Sequence, residues 1–85
     1  GVYRKLRHAA RETAADIQRR GIDRVLLDGD GDATDILKLT LLEHGVVSTR
    51  VSADWVVSCV GSDYHLQPCT VKVGLHQQSG RDSNQ

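Results

Sequence analysis

The chain has 85 residues, a formal net charge of zero, one tryptophan, no phenylalanine and no methionine. That length allows one domain or part of one, near the size at which a single core barely offsets chain entropy, so support from a neighbouring domain or a second chain is expected. Zero net charge removes bulk electrostatic attraction as a reason for nucleic-acid or membrane binding, and no apolar run approaches the roughly 20 residues of a membrane helix.

In chain order, Leu6, Ala10, Ala14 and Ile17 recur at helical spacing, which predicts an amphipathic helix from Tyr3 to Arg20 stopped by Gly21. Its other sides carry arginines, so a basic first segment faces an acidic middle that holds Asp28, Asp30, Asp32, Asp35, Glu43, Asp54 and Asp63. The contiguous Val25, Leu26 and Leu27 fit a strand covered on both faces. "DGDGD" then makes an acidic turn, with Asp32 as the expected N-cap of a second helix and Asp35 at the positive end of its dipole. That helix is read to about His44 as largely buried, because Ile36, Leu37, Leu39, Leu41 and Leu42 are so dense, and Gly45 ends it.

"VVSTRV" reads as a second strand. Ser52 or Asp54 is expected to cap a short third helix through Val60, with Trp55, Val56, Cys59 and Val60 on one apolar face. Trp55 is expected at the centre of the core, with Cys59 a small buried thiol beside it. Cys69–Gly74 reads as a final edge strand, and residues 77–85 as a disordered polar tail. Strands alternating with helices imply an α/β fold, a small parallel sheet flanked by helices, in a single domain over residues 1–76.

Several chemistries fit parts of the acidic turn. An EF-hand loop starting at Asp28 fails, since Ala33 and Leu39 stand where Gly and a carboxylate are required. A phosphatase of the haloacid dehalogenase kind needs further motifs and a larger fold. The best enzyme alternative is a fragment of a metal-dependent PIN-like (NYN) nuclease, with Asp28, Asp30, Asp32 and Asp35 holding a divalent ion. Turn formation and helix capping are the simpler use of these aspartates. His8, His44, His65 and His76 lack ligand spacing and read as surface residues, and Cys59 and Cys69 as reduced intracellular thiols, so no cofactor is expected. Lys38, in the second turn of the leucine-rich helix, is a candidate phosphate-binding residue, against the simpler reading of a solvated lysine.

Residues 22–74 resemble the BRCT domain, named for the C-terminus of the breast cancer susceptibility protein. The residues that carry the likeness are Val25–Leu27, the Leu37-Lys38 pair, Gly45, Val46–Ser48 or Val51-Ser52, Trp55 with Cys59, and Leu66 with Pro68. The resemblance implies a non-catalytic protein-interaction module of a nuclear DNA-damage response, repair or checkpoint protein. It also implies phosphoserine or phosphothreonine peptide binding with Lys38 on the phosphate, and a structural role for Leu37, Gly45, Trp55 and Cys59. The family's first strand, and the Ser or Thr after it, have no counterpart here. The chain begins at Gly1 and reads as an excised piece of a longer protein, and the domain as truncated, divergent or incompletely captured; the sequence leaves open whether another segment or chain supplies the missing strand. An exposed sheet edge then invites a partner segment, a tandem domain or a second copy. DNA binding through the basic first helix is a further alternative, less favoured than a protein partner.

Overall fold

A computed structural model describes residues 1–69. The expected edge strand over Cys69–Gly74, apart from Cys69 itself, and the expected tail over 77–85 lie outside the described residues, as does His76. The elements are α1 (Val2–Arg19), β1 (Arg24–Asp28), α2 (Asp32–Glu43), β2 (Val47–Thr49), β3 (Trp55–Val60) and β4 (Asp63–Pro68).

Both helices end in the same way, and the sequence already marks where. After α1, the Gly21 amide donates to Gln18 and the Ile22 amide to Ile17; after α2, Gly45 donates to Leu42 and Val46 to Leu41. Gly21 and Gly45 take φ of +73° and +74°, the left-handed conformation this termination needs and glycine adopts without penalty. Each turn delivers the chain directly into a strand. The start of α2 differs from expectation: Gly31 occupies the N-cap, and Asp32 is the first helical residue. The Asp32 carboxylate instead accepts a hydrogen bond from the Tyr3 hydroxyl at 3.0 Å. That contact, followed by proximity of the negative charge, raises the pKa of Tyr3.

The sheet runs β2-β1-β3-β4. β1 is parallel to both β2 and β3, while β4 pairs antiparallel with β3, so the sheet is mixed rather than wholly parallel. Val25, Leu27 and Val57 face the helices and pack with Ala10, Ala14, Ile17, Leu37 and Leu41 in one buried cluster. Both helices therefore cover the same face. The return from β2 to β3 crosses β1 through Arg50–Asp54, a link too short for a helix. Right-handed connectivity sends that return over the opposite face, where Arg50 lines a cleft with Leu26, Val56, Ser58 and Gln67.

The expected third helix is a strand. Val56, Val57 and Val60 are β-branched, and the edge of β1 offers Val56, Val57 and Ser58 a ladder of backbone partners. Alternation then turns Trp55, Val57 and Cys59 toward the helices. On a strand, four residues span about 13 Å, so Trp55 and Cys59 are not neighbours as they would be on a helix. Trp55 is half-buried at the end of the core, with the Arg20 guanidinium 5.8 Å from its ring centroid. The centre of the core is Ile17, Val25, Leu37, Leu41 and Val57, which corrects the expectation for Trp55.

Cys59 is also only half-buried, and its carbonyl and Cβ stand against Gly29. A Cβ at Gly29 would lie 3.0 Å from the Cys59 carbonyl oxygen and 3.2 Å from Thr34 Oγ1, and φ there is +137°. Only glycine lets the turn after β1 pass this close to β3. Thr34 Oγ1 is fully enclosed and makes no hydrogen bond of ordinary geometry. Burial pushes the Cys59 thiol pKa up, opposed by the Thr34 hydroxyl.

Candidate functional site

The strand order places β2 at an edge of the sheet, and α2 lies on the same side of the molecule. No described strand pairs with the outer side of β2. Between α2 and β2 lies a groove of about 410 Å³, lined by Lys38, Leu39, Leu42, Gly45, Val46, Val47 and Ser48. Leu39 is 63% exposed, Leu42 73% and Val47 55%. Single exposed leucines are ordinary; here three large apolar side chains gather on one groove, beside a strand edge that no described strand covers.

Helical geometry explains the groove. Leu37 and Leu41, one turn apart, point into the core and are fully buried. Leu39 and Leu42 lie on another side of the cylinder, so the dense leucine run does not bury all its members. The expectation that α2 is largely buried is corrected on this side. The Schellman turn at Gly45 brings Val46 into the core and leaves Val47 outside, where it completes the groove. Two hydrogen bonds hold this end of α2 against α1: Gln18 Nε2 donates to the His44 carbonyl at 2.8 Å, and His44 Nδ1 meets Gln18 Oε1 at 2.9 Å.

Lys38 is exposed and stands on the groove rim. It is six residues along α2 from Asp32, about 9 Å from the first-turn amides by helical rise, so its immediate surroundings are apolar. Gly45 forms the groove's end, while Leu37 lies beneath in the core. Trp55 and Cys59 belong to the helix-facing side of β3, remote in sequence and register from β2.

The aspartates are dispersed. Asp30 is exposed and pairs with Arg50 at 3.7 Å; Asp32 is engaged by Tyr3; Asp28 and Asp35 face solvent. Among the described residues, no group of three His, Cys, Asp or Glu side chains gathers to hold a metal ion. His8 pairs with Glu12 at 3.5 Å on the outside of α1. The basic residues Arg4, Lys5, Arg7 and Arg11 are exposed along that helix. No helix among the described residues is long and apolar enough to cross a membrane.

The sequence points to Lys38 and Gly45 but, from the density of leucines, places Leu39 and Leu42 in a largely buried helix. The missed signal was angular: residues two apart on a helix do not share a face, so Leu37 and Leu39 could not both point inward. Comparison with protein-family models, with curated proteins and with solved structures finds no match.

Proposed function

We propose that this domain is a non-catalytic protein-interaction module that receives an extended peptide segment along the β2 edge. The observation that supports the reading is the exposed apolar groove of Leu39, Leu42 and Val47 beside a strand whose outer side no described strand pairs, with a cation at its rim. A peptide added to β2 would gain main-chain hydrogen bonds, and the groove would take an apolar side chain of that peptide. Lys38 would then meet a phosphate or carboxylate through a charge-assisted hydrogen bond. The resemblance to the BRCT family favours phosphoserine or phosphothreonine, and adds a nuclear DNA-damage or checkpoint setting to the proposal.

The test is binding of wild type and Lys38→Ala to a degenerate phosphoserine/phosphothreonine peptide library, with unphosphorylated peptides as control. Phosphate-dependent binding that drops about tenfold in the variant, the worth of one charge-assisted contact of about 1.4 kcal/mol, supports the reading. Binding equal for both peptide sets removes phosphate from it. No binding to either set overturns it.

A further inference from the structure

We infer that the groove selects an antiparallel strand carrying an anionic residue two positions before a large apolar one, and that the Ser48 main chain fixes its register. The inference deepens the peptide-binding role proposed above and rests on it. In β2, the Val47 amide donates to the Asp23 carbonyl, so the main-chain groups of Val47 face β1. Alternation along the strand turns those of Thr49 the same way and those of Ser48 outward. Ser48 is therefore the residue of β2 whose N–H and C=O both face the edge that no described strand pairs. In an antiparallel hydrogen-bonded pair, a single peptide residue exchanges both bonds with Ser48, and antiparallel pairing is the more stable per residue.

The order of side chains follows from the register. Ser48 pairs with Val25, whose side chain lies in the core, so a peptide residue opposite Ser48 also turns its side chain to the helix side. The peptide residue opposite Val46, two positions away, does the same. On α2, Lys38 and Leu42 both line the groove one turn apart, a rise of about 6 Å. Two strand residues span about the same distance, 6–7 Å. α2 runs antiparallel to β2, and the Val46 amide donates to the Leu41 carbonyl. Leu42 thus stands level with Val46, and Lys38 with Ser48. The residue opposite Ser48 meets the Lys38 ammonium, which has no ion-pair partner among the described residues. The residue opposite Val46 meets Leu42. An antiparallel peptide passes Ser48 first, so its anionic residue precedes its apolar one.

Fluorescence anisotropy on the whole chain tests the inference, with short capped peptides that carry phosphoserine, threonine and leucine in that order. The reversed order, leucine, threonine, phosphoserine, is expected to bind at least about tenfold more weakly. N-methylation of the phosphoserine amide should cost about tenfold or more, since it removes the bond to the Ser48 carbonyl, whereas N-methylation of the threonine amide, which faces away, should cost little. Ser48→Pro removes only an outward N–H, so circular dichroism should stay unchanged while affinity falls by a similar factor. Equal or tighter binding of the reversed peptide overturns the inference. So does an undiminished affinity of the N-methyl-phosphoserine peptide, or of folded Ser48→Pro. Each of these results leaves the peptide-binding role standing, as does failure to bind these peptides by a wild type that binds the phosphopeptide library. A wild type that binds neither overturns both.

Discussion

Leu37 and Leu41 on the inner side of α2 are fully buried, whereas Leu39 and Leu42 on its outer side are largely exposed, although all four belong to one short helix. The inner pair touches α1, β1 and β3 in a single cluster and holds the two layers together. Among the described residues the outer pair touches little, and it borders a strand whose outer side no described strand pairs. One residue type thus builds the core on one side and an exposed apolar surface on the other, and what separates the two is the angle around the helix. Removing the outer leucines would cost the fold almost nothing, because they bury little surface.

The largest expected effect lies on the inner side. Leu37→Ala leaves a cavity beneath α2 and should destabilise the domain by about 2–5 kcal/mol, read from chemical denaturation. A small loss would break the contrast at its root, because the inner side would then be no better packed than the outer.

A polar contact on the same inner side should show in alkali. The Tyr64 hydroxyl donates to the Ala33 carbonyl near the start of α2. Burial first, and the negative charge available to Cys59 second, push the Tyr64 pKa up to about 12. The folded state therefore favours neutral Tyr64. Its contribution is complete below the unfolded value of about 10, and is lost as pH rises toward about 12. Stability should fall over that window by on the order of 1 kcal/mol, less than full linkage because the ring is partly solvated. In Tyr64→Phe that alkaline decline should flatten, and an identical decline in the variant would assign it to other groups.

The smallest effect on stability is expected on the outer side. Leu42→Ala should change the unfolding free energy by no more than about 0.5 kcal/mol, while weakening the peptide binding proposed for the groove. A destabilisation near that of Leu37→Ala would mean that the outer leucines also belong to the core.

The hairpin of β3 and β4 is where sequence and structure part most sharply. Read locally, Ser52 or Asp54 followed by Trp55, Val56, Cys59 and Val60 has the cap and the spacing of a helix. The same residues alternate equally well as Trp55, Val57 and Cys59 on one face and Val56, Ser58 and Val60 on the other. A short apolar run supports both periods, and the choice falls to whatever partners the rest of the fold supplies. Here β1 offers an open edge, and Gly61, with φ of +61°, turns the chain back so that Val60 pairs with Asp63. The sheet thereby gains β4, and Trp55 moves from the expected core centre to its margin.

What the sequence determined by itself was local. The heptad-like spacing in α1, the contiguous Val25–Leu27 run of β1 and the glycines after each helix follow from period and from backbone freedom, which neighbouring residues set alone. The mixed α/β character followed from their order. Only tertiary structure decided that both helices share one face, that residues 55–60 extend as a strand, and that Leu39 and Leu42 stay outside. Those outcomes depend on which surfaces meet, because burial is a property of the assembled layers and a leucine carries no mark of the side it will face.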